Sequence, residues 1–236
     1  KYACKVSLNQ YLSTKDQKLL FSEIEILSKI SNPAVLSLIG FSATDFENKF
    51  YPMILVEYMK NGSLDSLLDK ERKSQAPLEW DNTKKYINIL GIALGMKYLN
   101  LNKMVHRDLK PANVLLDENY YPRISDFGLS KLSVKNNLSS FLLSTEAGTP
   151  LYMAPEILQG QQYDFKVDVY SYSLIVYEIL TGKVPFYEYL NSIVYLINNV
   201  VGGKRPDISM IKNEKINVHA RKYSELCRGL QQSQIV

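Results

Sequence analysis

His106-Arg107-Asp108-Leu109-Lys110-Pro111-Ala112-Asn113 is followed, across a short apolar strand, by Asp126-Phe127-Gly128. A lone Asp most often caps a helix or sits solvated in a turn. Here several specific polar residues coincide, and Asp126 falls 18 residues after Asp108. Chance readily supplies Asp-Phe-Gly. It does not readily supply the eight-residue stretch before it as well.

Outward from this stretch, the elements change character along the chain. Residues 2–8 read as a strand, and residues 18–30 place Leu20, Ile24 and Leu27 at helical spacing, with Asn32-Pro33 as the stop. The apolar runs 35–41 and 53–59, separated by polar sequence, predict a pair of strands. Lys60-Asn61-Gly62-Ser63 then breaks the pattern. Beyond it the periodic segments are mostly helical, over about 83–101, 167–180, 187–200 and 219–230. Strands lead and helices follow, so an α+β fold is expected. A small sheet-plus-helix lobe at 1–59 joins a larger, mainly helical lobe at 60–236, with the seam at 60–63.

Composition narrows the setting. With 236 residues, 46% hydrophobic and 22% charged, the chain has the makeup of an ordinary globular domain. Its 28 basic and 24 acidic residues are spread without a basic run, which argues against nucleic acid as a partner. Cys4 and Cys227 stand far apart, so neither a disulfide framework nor a zinc site is expected and a reducing compartment is favoured. No apolar stretch has the length of a membrane span and the start has no signal-peptide pattern, so the expected location is the cytoplasm without membrane insertion. Asn61-Gly62-Ser63 and Asn137-Leu138-Ser139 match the short glycosylation pattern, which recurs by chance. Gly202-Gly203-Lys204 is followed by Arg205 where a P-loop needs Ser or Thr, so that class of nucleotide hydrolase is excluded.

The stretch at 106–113 together with Asp126-Phe127-Gly128 resembles the catalytic loop and magnesium-binding motif of protein kinases. Ala3-Cys4-Lys5, Gly148-Thr149-Pro150, Ala154-Pro155-Glu156 and the segment from Asp168 to Ser173 match further family motifs in the family's order. Asn61 to Leu68 (NGSLDSLL) and the wording GTPLYMAPE bring the chain nearest to the tyrosine-kinase-like group, whose members mostly phosphorylate serine and threonine. The resemblance implies the bilobal protein-kinase fold and transfer of the ATP γ-phosphate to serine or threonine of protein substrates, with Mg2+. Catalytic roles then fall on Asp108, Lys110, Asn113 and Asp126. Asp108 takes or orients the proton of the substrate hydroxyl. Lys110 reaches the transferred phosphate, and Asn113 and Asp126 are the metal ligands.

Nucleotide binding is implied for Lys5, its partner Glu23, and Glu57, Met59 and Leu115, with Val56 bordering a deeper pocket. As plain sequence, Lys5 also reads as a solvated strand residue, residues 54–59 as core strand, and Leu27 and Leu38 as ordinary core rather than a stack on Phe127 and His106. Glu25 is expected to face solvent. Asp168 is implied to brace the catalytic-loop backbone, with Ser173 where relatives usually have Gly. Ser130, Ser133, Ser139, Ser140, Ser144 and Thr145 are candidate phosphorylation sites for an upstream activating kinase, with Arg107 as the pairing cation. Thr149 is implied to bond Asp108 and Lys110. A flexible Ser-rich loop accounts for that composition equally well.

Two departures stand beside the resemblance. The glycine-rich strand pair that precedes the lysine strand in kinases is absent, and the chain opens on Lys1 in strand-like sequence, so further sequence upstream is expected and the small lobe is expected to be incomplete. Cys227 is followed by Arg228-Gly229-Leu230 instead of the family's ending, which leaves Arg228 as the candidate partner of Glu156. The alternative to an active enzyme is therefore a catalytically impaired kinase-fold scaffold or binding module.

Overall fold

In the computed structural model, residues 1–6, 13–128, 130–132 and 150–211 are described. The expected helix at 219–230, Arg228, Thr149 and the hydroxyls at 133–145 lie outside them. The chain divides into two compact units, one of residues 1–67, 77–106 and 111–132, the other of residues 68–76, 107–110 and 133–236.

In the first unit, β1 (Tyr2–Val6) and β2 (Leu38–Ser42) flank β3 (Met53–Glu57) in an antiparallel sheet. The register sets Lys5 opposite Ile54 and Tyr2 opposite Glu57. The apolar run at 35–41 does not form one strand. Val35 bridges Ile124 and the Leu36 N–H donates to the Ile124 carbonyl at 2.9 Å, so its first half is satisfied by another sheet. The second strand also stops short of Met59. A turn follows it, in which the Gly62 N–H donates to the Met59 carbonyl at 3.3 Å and Gly62 takes φ +69°.

Helix α1 (Thr14–Lys29) begins four residues before the periodic pattern does. Ser13 caps it, its Oγ accepting the Asp16 N–H at 3.1 Å. The buried face is Glu23, Ile26, Leu27 and Ile30, which shares only Leu27 with the expected Leu20–Ile24–Leu27 stripe. Periodicity ranks residues by polarity, and a carboxylate on the buried face is invisible to it.

Helix α3 (Asn82–Leu101) is capped by Asp81, whose Oδ1 accepts the Lys84 N–H at 2.9 Å. It lies close against the hairpin of β5 (Val114–Leu116) and β6 (Pro122–Ile124). A Cβ on Gly91 would come within 2.6 Å of Pro122 Cγ, and one on Gly95 within 2.8 Å of Ile124 Cδ1. Two helical glycines, each costing about 1 kcal/mol against alanine, are thus the condition for this approach. A two-stranded ladder of β4 (Met104–Val105) and β7 (Lys131–Leu132) completes the unit.

Helix α2 (Leu64–Arg72), within which the division between the units falls, is not among the helices expected from periodicity. Its cap is Ser63, whose Oγ accepts the Ser66 N–H at 3.2 Å.

The second unit is built on α5 (Lys166–Thr181), buried along most of its length and closed by Gly182 at φ +67°. The short α4 (Pro155–Leu158) precedes it. The single helix expected at 187–200 is interrupted. A 3-10 turn at Tyr187–Tyr189 gives way to α6 (Ile193–Val201), because the Ser192 side chain accepts the Tyr195 N–H at 3.3 Å and restarts the helix. Gly202 and Gly203 end α6, with φ +92° at Gly203, which gives the Gly-Gly pair a structural use. Among the described residues, no helix is long and apolar enough to cross a membrane.

Candidate active site

In the first unit, Lys5, Glu23 and Asp126 converge. Lys5 Nζ donates to Glu23 Oε1 at 3.0 Å and Oε2 at 2.9 Å, and lies 3.5 Å from Asp126 Oδ1. The Glu23 side chain is only 9% exposed, against 56% for Lys5 and 46% for Asp126. Glu25, two residues further along α1, is exposed and pairs with Lys29 at 2.5 Å. Burial pulls the Lys5 pKa down, but the charges and hydrogen bonds of Glu23 and Asp126 outweigh it and hold the ammonium above its ordinary value.

Asp126 sits at φ +63°, a left-handed backbone that Asp tolerates better than most residues. The sequence around it fixes this turn from both sides. Phe127 is fully buried with its ring edge-on to His106, centroids 5.1 Å apart. His106 Nε2 meets the Ser125 carbonyl at 3.0 Å, so that nitrogen carries the hydrogen, since a carbonyl only accepts. The Ser125 N–H and Oγ both donate to the Asn113 carbonyl, at 2.9 and 3.0 Å. Asn113 is buried at the end of the 3-10 turn Pro111–Asn113. The residue before Asp126 is thus fastened to the main chain of Asn113.

Ser130 is 2% exposed and donates its Oγ hydrogen to the His106 carbonyl at 3.2 Å. This corrects its reading as an accessible phosphorylation site: a strand end packed against β4 uses the hydroxyl to satisfy a buried carbonyl. Leu27 is buried and Leu38 half-buried.

In the second unit, Lys110 Nζ donates to Asp108 Oδ1 at 3.1 Å and Oδ2 at 2.8 Å, with side chains 21% and 15% exposed. Asp168, buried in the first turn of α5, accepts the Arg107 N–H at 2.8 Å. Arg107 itself has φ +69°, a strained backbone that this bond helps to hold. Its Nη1 donates to Tyr163 Oη at 3.2 Å, while its buried Nε has no partner among the described residues. Ser173 is accommodated in α5 by donating to the Tyr170 carbonyl at 2.7 Å.

A buried network that motif reading missed lies in the same unit. Glu178, 1% exposed, accepts from Arg72 Nη1 at 2.9 Å and from the Tyr152 hydroxyl. Ser171 Oγ donates to the Tyr152 carbonyl at 2.7 Å. A Glu inside the apolar sequence of α5 was the available signal. Its partner on α2 was not readable from spacing.

Residues 1–231 match the model of the protein kinase domain. The chain belongs to the protein kinase family. It is 36% identical over 187 residues to Dual specificity protein kinase shkB of Dictyostelium discoideum, covering 79% of this chain and 27% of that protein. Identity is 41% over 174 residues to Cysteine-rich receptor-like protein kinase 10 of Oryza sativa subsp. japonica, covering 72% of this chain and 26% of that protein. It is 31% over 218 residues to Serine/threonine-protein kinase STY46 of Arabidopsis thaliana, covering 91% of this chain and 35% of that protein. The kinase chain therefore spans a minor part of the length of these curated relatives.

The remaining nucleotide-site candidates all belong to the first unit. Glu57 ends β3, Val56 precedes it, and Met59 stands in the turn that follows. Leu115 is half-buried on β5, where it bridges Ser63 and pairs with Arg123. The carboxylate of Asp126 and the amide of Asn113 are hard oxygen donors, and Asp126 is open enough to reach a ligand, so these residues fit a Mg2+ that keeps several of its waters. Lys5 places a positive charge 3.5 Å from the Asp126 carboxylate.

Proposed function

We propose that this kinase domain transfers the γ-phosphate of ATP to serine or threonine hydroxyls of proteins, with residues 1–59 as its small lobe, 60–236 as its large lobe, and a cytoplasmic setting in keeping with its two isolated cysteines. The observation that carries the reading is the convergence of Lys5, Glu23 and Asp126. A lysine on a strand is ordinarily solvated. Here its ammonium is held by a buried carboxylate and shared with a second one in a strained turn.

Phosphoryl transfer asks a protein for position and charge more than for covalent chemistry. Glu23, gripping Lys5 with both oxygens, aims the ammonium at the inner phosphates of the nucleotide. The backbone at Glu57 and Met59, beside Val56 and Leu115, takes the adenine. Asn113 and Asp126 would hold Mg2+, which would supply charge neutralisation for the phosphates. Asp108 accepts the proton of the attacking hydroxyl. Lys110, bonded to both oxygens of Asp108, fixes the carboxylate's orientation and brings a positive charge two residues from the base, the arrangement that favours serine and threonine over tyrosine. Phosphorylation of the hydroxyls at 133–145 by an upstream kinase, paired with Arg107, is part of the same proposal.

Asp108→Asn tests the reading. The variant should retain MgATP binding and its melting temperature while phosphate transfer to a Ser/Thr peptide falls by about two to four orders of magnitude, the usual share of a general base. Transfer at the wild-type rate would overturn the assignment.

A further inference from the structure

We propose that Arg123 is a positioning residue for the nucleotide: it ties the adenine-facing segment to the β5–β6 hairpin and so sets the preference for adenine. This rests on the reading above that the backbone at Glu57 and Met59 faces the base. Arg123 lies on β6 between buried Pro122 and Ile124, and its side chain is 20% exposed. A guanidinium so placed requires partners. It finds two carboxylates, Asp117 Oδ2 at 3.3 Å from Nη2 and Glu57 Oε1 at 3.8 Å from Nε, with Nη1 on the Pro122 carbonyl at 3.2 Å.

Both carboxylates are committed elsewhere in ways that brace the segment. Glu57 Oε1 accepts the Ser37 N–H at 2.8 Å, and the Glu57 N–H donates to the Ser37 carbonyl at 3.1 Å, so the end of β3 is locked to the residue that follows the β6-paired stretch 34–36. Asp117 Oδ1 accepts the N–H groups of Asn119 and Tyr121 at 2.8 and 2.9 Å, which shapes the β5–β6 turn. The Asp117 carbonyl accepts from Asn61 Nδ2 at 2.7 Å, and the Asn61 N–H donates to the Leu116 carbonyl at 3.1 Å. The hairpin thus holds residue 57 through Arg123 and residue 61 through Asp117. Only residues 58–60 hang between the two anchors.

The consequence is specific to the base. Adenine presents a 6-amino donor and guanine a 6-carbonyl, so a backbone held in one place discriminates between them. The phosphates are bound by other groups and report nothing on this segment. A preorganised segment contributes affinity by not having to be ordered on binding.

The test is calorimetric binding of MgATP and MgGTP to the wild type and to Arg123→Met, with steady-state kinetics alongside. Arg123→Met should weaken ATP about fivefold, the size expected for a partly exposed ion pair, while GTP binding, kcat and the KM for peptide stay within about twofold. Unchanged ATP affinity would overturn the inference, as would an equal loss for both nucleotides, which marks a general structural role. Should Arg123→Met fail to fold, Glu57→Gln keeps the main chain and weakens the same link. It should lower the ATP-to-GTP ratio in the same direction, and an unaltered ratio overturns the inference. A wild type that bound neither nucleotide would overturn the kinase reading and this inference together, whereas a wild type that prefers ATP with an unaltered variant overturns this inference alone.

Discussion

Replacing Arg72 with methionine keeps most of the side chain's length and removes its charge. Glu178 then loses the guanidinium that donates to Oε1 at 2.9 Å, while its carboxylate stays 1% exposed. Removing one partner of a buried pair costs about 3–5 kcal/mol, because the other charge remains out of water. The lower end applies here, since the Arg72 side chain is 27% exposed and water already reaches part of the pair. The second carboxylate near Arg72, Asp69 at 3.7 Å, is 45% exposed and also pairs with Lys73 at 2.6 Å, so its loss adds little. A cost of about 3 kcal/mol in a chain of this size lowers the melting temperature by about 6–12 °C. Adding Glu178→Gln to Arg72→Met removes both charges and should recover all but about 1 kcal/mol. Thermal melting and urea titration of the two variants decide the matter. A loss below about 1 kcal/mol for Arg72→Met, or a double variant no more stable than the single, would refute the claim that the guanidinium compensates a buried carboxylate.

Other expectations follow from the same geometry. Glu23→Gln should nearly abolish phosphate transfer yet change stability at neutral pH by under about 1 kcal/mol, because the Lys5 side of the pair is 56% exposed. Lys5 is held above its ordinary value by Glu23 and Asp126 against the pull of burial, so its stabilising contribution is full below the unfolded-state value and is lost as pH rises through the folded one. Wild type should therefore lose stability relative to Glu23→Gln as alkaline titration passes above the ordinary lysine range, and parallel curves would contradict this. Gly95→Ala should destabilise by about 1–3 kcal/mol, read by urea titration, since its Cβ would meet Ile124 Cδ1 at 2.8 Å and the Ala34 carbonyl at 3.2 Å.

The motifs at 106–113 and 126–128 were legible because their residues coincide at a fixed spacing, and the resemblance they carry to protein kinases is what named Lys5, Glu23, Asn113 and Asp168 as candidates. Element types were legible too, because burial of one face leaves a period in the sequence. Boundaries were less so. Ser13 and Ser192 begin helices that apolar periodicity places elsewhere, and the run at 35–41 splits because its backbone has two sheets to satisfy. Which carboxylates a cation meets across the fold left no period at all. Arg72 with Glu178 and Arg123 with Glu57 and Asp117 are pairings between residues up to 106 positions apart. Sequence alone therefore determined the family, and the resemblance named the candidate catalytic set. Tertiary structure decided how that set is braced, because a buried charge is tolerated only where the fold brings a partner to it.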